Sequence, residues 1–352
     1  MTNAEAPEVL CRIESGVGRI TLNRPRALHA LTLGMCEAMI EALQAWKSDD
    51  AVRCILIDHS GERGFCAGGD IRMLAESGAG DGKAARLFFH TEYRLNHLLF
   101  VYPKPVIAVM DGVTMGGGVG LSMPASVRIA TERTTFAMPE TGIGLFPDVG
   151  GGWFLPRLPG KAGLWLALTG ARIKAPDCCA LGIASHFMPA AKVEAFKAAL
   201  LEHPDALAGA LATCVEDAGH PPLAAHQADI DRLFDGDSVE TILERLTVDG
   251  GEWATAQLAT LATKSPQTLR VAFRQLAHGA LLTDFTDNMV MEYRIGARVV
   301  AMHDFLEGVR AVIIDKDNAP RWSPPTVAEV QEAVLDDIFA PLPADQEWTP
   351  LT

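Results

Sequence analysis

The stretch Lys104–Pro159, KPVIAVMDGVTMGGGVGLSMPASVRIATERTTFAMPETGIGLFPDVGGGWFLPRLP, decides how this chain is read. Pro103 and Pro105 end a preceding helical segment, and Val106–Met110 is a short apolar run of buried-strand type. Met115-Gly116-Gly117-Gly118-Val119-Gly120 then opens an apolar helix. Three glycines let backbone approach a ligand without Cβ clashes, and a helix starting there aims free N–H groups at an anion or a developing oxyanion. Close packing of helix on strand is the alternative explanation of the same glycines. Val127–Ala130 and Thr134–Ala137 read as strands. Glu140 and Asp148 follow, each inside a Pro/Gly-rich turn. Acids in such apolar surroundings are candidates for raised pKa values and for divided acid and base roles. Taken singly, either is also a plausible cap, and Asp148 stands where it would cap a helix begun at Gly150–Gly152.

Working outward, residues 8–22 alternate as two strands joined at Ser15-Gly16-Val17-Gly18. Thr32 is placed as a helix N-cap, with Cys36, Met39, Ile40, Leu43 and Trp46 on one apolar face. Val52–Asp58 is a buried strand. The loop Phe65-Cys66-Ala67-Gly68-Gly69-Asp70 comes next, at the same sheet edge as the glycine cluster. Two glycine-rich loops there would bring two N–H donors together as an oxyanion hole, while Asp70 suits an N-cap of the helix after it. Residues 84–100 form another helix. Strand, strand, helix recurs, so the fold class is α/β. Beyond about residue 190 the pattern turns helical over 192–213, 225–247, 251–263, 265–282 and 326–339. The expected domains are a core over 1–195 and a mainly helical C-terminal region over 196–352 packed on it.

The composition is globular, with 49% hydrophobic residues, and the net charge of −14 argues against non-specific nucleic-acid binding. No run of 18 apolar residues exists, so no membrane span is expected. Seven cysteines, odd in number and without a C-x-x-C pair, read as reduced thiols of a cytosolic protein. The N-terminal MTNAEAPEVL has no signal-peptide layout. The glycine cluster fails the dinucleotide spacing because Leu121 stands where a third glycine belongs. Gly82-Lys83 fails as a P-loop, and Gly120-Leu-Ser122-Met-Pro124 is not a nucleophile elbow. His90 and His97 lie seven apart on one helix, too far for a metal pair. The commonest hydrolase and metalloenzyme classes are thereby removed.

The order of Leu22-Asn23-Arg24-Pro25, Phe65–Asp70, Lys104-Pro105, Gly116–Gly118 and Pro139-Glu140 resembles the crotonase (enoyl-CoA hydratase/isomerase) superfamily. Met138–Pro159, Ser265–Arg270, Met291-Glu-Tyr-Arg294 and His303–Trp322 are similar to its 3-hydroxyacyl-CoA hydrolase branch, so the resemblance covers nearly the whole chain. It implies a crotonase-like spiral of repeated ββα units, an acyl-CoA thioester as ligand, and no metal or redox cofactor. By motif position, backbone N–H groups of Ala67 and Gly117 would form the oxyanion hole. Glu140 would be the catalytic glutamate, Asp148 the second acid and Glu92 a substrate-contacting glutamate. Ala27, His29, Ala67 and Asp70 fall at positions that contact CoA, with His29 replacing the family's asparagine. Hydratases of the superfamily carry a second glutamate three residues after the oxyanion glycine, and here that place is Gly120. The implied activity is therefore hydrolysis of (S)-3-hydroxyisobutyryl-CoA, an intermediate of valine breakdown. A hydratase or double-bond isomerase is the alternative, and a homo-oligomer is compatible with the family.

Overall fold

The computed structural model describes residues 6–351; residues 1–5, part of the N-terminal stretch read above, and residue 352 lie outside it. The strands are β1 (Val9–Glu14), β2 (Val17–Leu22), β3 (Cys54–His59), β4 (Gly64–Cys66), β5 (Val106–Met110), β6 (Val113–Met115), β7 (Val127–Ala130), β8 (Thr135–Ala137), β9 (Ile173–Lys174) and β10 (His186–Phe187). They form one sheet in the order β1-β2-β3-β5-β7-β10 and another in the order β4-β6-β8-β9.

The β1–β2 hairpin closes through Ser15 (φ +47) and Gly16 (φ +84), with Glu14 paired to Val17. Positive φ at both turn residues matches the twist of the flanking strands. From β2 onward the large sheet is parallel. Its inner strands β3 and β5 are buried almost throughout, which is why both read as unbroken apolar runs rather than alternating ones. Thr32 caps the helix Leu33–Lys47, its hydroxyl accepting from the Met35 N–H at 3.3 Å, an interaction worth about 1 kcal/mol. Met35, Cys36, Met39, Leu43 and Trp46 form its buried face, whereas Ile40 is only half-buried. A Cβ on Gly18 would stand 2.6 Å from the Trp46 ring, so this helix packs directly on the β2 backbone.

The chain divides into two compact units that alternate along the sequence. One runs from the N-terminal strands to Gly69 and includes Leu95–Phe136 and Ile173–Pro222; it holds the large sheet and nearly all of the small one. The other takes Asp70–Arg94, Ala137–Arg172 and everything from Leu223 onward, and is mainly helical. The expected cut at 195/196 coincides with none of these junctions. The helical signal after 190 is real, but Ala190–Glu202 and Leu207–Cys214 belong to the first unit, where Phe196, Leu200 and Leu211 pack into the core beside β3 and β5. The stretch 225–247 is two helices, Gln227–Leu233 and Val239–Asp249. Phe285–Val299 and His303–Val309 are helices that the sequence pattern had not marked.

Candidate active site

In the first unit the three clustered glycines do three different things. Gly116 sits at φ +46, ψ −119, a backbone state closed to side-chain-bearing residues. A Cβ on Gly118 would lie 2.3 Å from the Cys66 carbonyl oxygen, so the close-packing explanation holds there. Gly117 begins the helix Gly117–Ser122, where a first-turn N–H has no intrahelical acceptor. The Ala67 N–H, expected beside it as an oxyanion donor, donates instead to the Leu28 carbonyl at 3.0 Å. An N–H directed at that carbonyl is not free to meet a substrate oxygen, so Ala67 does not fit the donor role in this geometry.

His29 also departs from its expected part. Its ring is buried; Nδ1 accepts from the Arg24 N–H at 3.0 Å, and Nε2 therefore donates to the Ser60 carbonyl, also at 3.0 Å. Burial and the neighbouring His59 push its pKa down to about 4, which keeps the ring neutral. These bonds hold Leu28 and His29 at φ +48 and +57, so the side chain shapes its own loop. Ala27 closes a 3-10 turn, Pro25–Ala27, and stays half-buried.

The second unit contains the acids. Asp70 caps the helix Ile71–Gly78 through a long bond, 3.4 Å, from the Met73 N–H. Glu140 begins the turn Glu140–Ile143, which is held from several sides. The Ser265 N–H donates to the Thr141 carbonyl at 3.0 Å, and the Thr141 hydroxyl to Leu168 at 3.1 Å. Ser265 in turn donates to buried Asp304 at 2.5 Å. A Cβ at Gly144 would lie 2.1 Å from the Asp304 carbonyl oxygen, and one at Gly308 would lie 2.4 Å from Ile143 backbone. The late motifs thus form the floor on which the Glu140 turn rests.

Asp148 is met by the Tyr93 hydroxyl, which donates to Oδ2 at 3.0 Å. It does not cap a helix with its side chain; the cap position of Gly151–Phe154 is Gly150. Glu92 adjoins Tyr93 in the same helical turn, and Glu292 comes in from Phe285–Val299. Glu92, Glu140, Asp148 and Glu292 are all buried, and none has a cationic partner among the described residues. Burial and the nearby Asp148 charge drive Glu140 and Glu92 well above the carboxylate range. Burial lifts Asp148 to about 7, with the Tyr93 hydrogen bond pulling the other way. Glu292 rises to about 8 through burial, opposed by N–H donors from Gly150, Asn288 and Gly152. Glu140 Oε2 and Glu92 Oε1 have no hydrogen-bond partner, a costly state for buried carboxyl oxygens unless a ligand meets them. The Tyr93 hydroxyl supports the ionised form of Asp148, and four N–H donors support that of Glu292. Such a group can bind a polar, hydroxylated ligand and hold or release protons near neutral pH. Tyr93 and Glu292 carried no assigned role in the sequence; their only signals were the neighbours Thr91-Glu92 and the motif Met291-Glu-Tyr-Arg.

Among the described residues no group of three metal-ligating side chains exists, and no helix is long and apolar enough to cross a membrane. All seven cysteines are free thiols.

Comparison with known proteins gives a consistent family. Residues 17–339 match the family described as enoyl-CoA hydratase/isomerase. A Danio rerio protein named "3-hydroxyisobutyryl-CoA hydrolase, mitochondrial" is 45% identical, over 97% of this chain and 92% of its own. The solved structure of a protein named carnitinyl-CoA dehydratase, from Mycobacterium thermoresistibile, aligns with TM-score 0.93 at 42% identity, covering 98% of this chain and 99% of that one. One described as an enoyl-CoA hydratase, from Rhodobacter sphaeroides 2.4.1, aligns with TM-score 0.90 at 40% identity, covering 97% and 100%. The crotonase-like α/β fold expected from the motifs is therefore the fold observed. The cytosolic expectation is overturned, since the Danio rerio relative is named as a mitochondrial protein. Reduced thiols and an N-terminal composition do not distinguish one reducing compartment from another.

Proposed function

The chain belongs to the enoyl-CoA hydratase/isomerase family, and from that premise we propose that it hydrolyses 3-hydroxyisobutyryl-CoA to 3-hydroxyisobutyrate and CoA. The observation that carries the reading is the buried acid group of Glu140, Asp148 and Glu92, with two carboxyl oxygens lacking partners. A 3-hydroxyacyl group offers the hydroxyl that such oxygens accept.

The Gly117 N–H donates to the thioester carbonyl oxygen as it gains negative charge, a contact worth about 3–4 kcal/mol in the transition state. The Ala67 N–H, the second donor that its motif position implies, is directed at the Leu28 carbonyl in this geometry. Glu140, as carboxylate, takes a proton from a water whose oxygen bonds to the carbonyl carbon. The adduct then collapses, the C–S bond breaks, and the proton passes to the departing thiolate. In the covalent variant Glu140 itself bonds to the carbonyl carbon and the thiolate leaves; water activated by Asp148 then opens the anhydride. Both routes end in the hydroxy acid and CoA. Burial raises both acids, so turnover rises with pH as they lose their protons.

Release of free CoA from (S)-3-hydroxyisobutyryl-CoA is the assay. Glu140→Gln should lower kcat by a factor on the order of 100 or more; unchanged release would falsify the assignment. Valine breakdown is the process this activity would serve. Light scattering after gel filtration decides between a monomer and the homo-oligomer the family allows.

The two solved relatives named as a dehydratase and a hydratase favour a second reading, water addition across an enoyl-CoA double bond. Against it stands Gly120, in the place of the second glutamate of hydratases. Incubation with crotonyl-CoA discriminates: loss of the double bond without CoA release would establish the hydratase.

A further inference from the structure

Glu292 takes no part in the chemistry just outlined, yet it is completely buried. Its two oxygens meet four N–H donors. Oε2 accepts from the Gly150 backbone at 2.7 Å; Oε1 accepts from the Gly152 backbone at 2.9 Å, from Asn288 Nδ2 at 2.9 Å and from Gln275 Nε2 at 3.2 Å. Gln275 Nε2 also donates to the Pro147 carbonyl at 2.7 Å. The residues held in this way lie on both sides of Asp148: Pro147 before it, Gly150 and Gly152 after it.

Between them Val149 sits at φ +52. A β-branched residue in the left-handed region is strained and persists only where its surroundings enforce it. The enforcement is tight here, since a Cβ on Gly152 would stand 2.7 Å from Asn288 Oδ1 and 3.0 Å from Gln275 Nε2. Joining two helices needs no carboxylate, and an apolar pair would do it without the desolvation of a buried charge. What the carboxylate does, and an apolar side chain would not, is bind two backbone N–H groups of one turn at once.

We infer that Glu292 is a positioning residue for Asp148. Resting on the proposed role of Asp148, it clamps the 147–152 turn so that the carboxylate keeps one orientation, with the Tyr93 hydroxyl fixing the other end. Loosening the clamp displaces Asp148 without removing any group that touches substrate.

The test is CoA release by Glu292→Gln, Asp148→Asn and the double variant. A misplacement of about 1 Å costs on the order of 100-fold, so Glu292→Gln should lower kcat about 10- to 100-fold while KM changes less than about 3-fold. In the Asp148→Asn background the same substitution should cost less than about 3-fold, because both changes act through one group. Equal losses in the two backgrounds, or wild-type kcat for Glu292→Gln, would overturn the inference. If Glu292→Gln does not fold, Gln275→Met, which removes the bond to Pro147, is subject to the same two criteria. Full activity of Asp148→Asn would overturn the reading of Asp148 itself, an outcome separate from a failure of the clamp.

Discussion

Asp148 is a carboxyl group in a buried place, and burial lifts its pKa to about 7. The Tyr93 hydroxyl stabilises the ionised form, so Tyr93→Phe should raise the pKa further and move the acid limb of kcat/KM to higher pH. A limb that stays in place would show that Asp148 is not the group titrating. The same shift bears on stability. The folded chain holds this proton above the unfolded value of 3.8, so stability falls as pH rises from about 4 through about 7. Asp148→Asn removes the penalty, and calorimetry should find a larger gain in Tm at pH 8 than at pH 5. Glu140 and Asp148 were legible as candidates because Pro/Gly turns place acids in apolar surroundings. Tyr93 and Glu292 were not, since they reach that region across 55 and 142 residues of chain.

At the scale of elements, glycines mark where one segment lies directly on another. The helix His303–Val309 touches the Glu140–Ile143 turn through Gly308, where a Cβ would stand 2.4 Å from Ile143 backbone. Backbone cannot yield as a flexible side-chain end does, so Gly308→Ala should destabilise by about 1–3 kcal/mol. It should also lower kcat, because the displaced turn carries Glu140; thermal unfolding and CoA release measured on the same variant check both effects. Most strands of the large sheet could be read from the sequence, β1 and β2 by their alternation and β3 and β5 as unbroken apolar runs buried on both faces; β10, two residues long, carried no pattern to read. Phe285–Val299 was not recognised as a helix: its apolar positions are interrupted by buried Asn288 and Glu292; Asn288 donates to Glu292, which also accepts from the Gly150 and Gly152 backbone and from the Gln275 amide. A polar residue satisfied only by tertiary contacts looks, in sequence, like a surface residue.

At the scale of the molecule, the chain carries seven thiols and no disulfide. Burial raises Cys11 and Cys54 to about 11, and drives Cys178 higher still. Reductant should leave Tm unchanged, and thiol reagents at pH 8 should react much faster with the unfolded chain than with the native one; a drop in Tm on reduction would contradict this bonding state. By itself the sequence determined the fold class and the family and marked the two acids as candidates, because strand burial, turn chemistry and motif order are written along the chain. Only the tertiary structure decided that Ala67 donates to Leu28, that His29 braces its own loop, and that the compact units alternate along the chain where a single cut was expected. It also decided which of three adjacent glycines lies against the Cys66 carbonyl. The physical reason is common to all of these. A hydrogen bond, a desolvated charge and a close backbone approach each depend on groups far apart in sequence, and only folding fixes which of them meet.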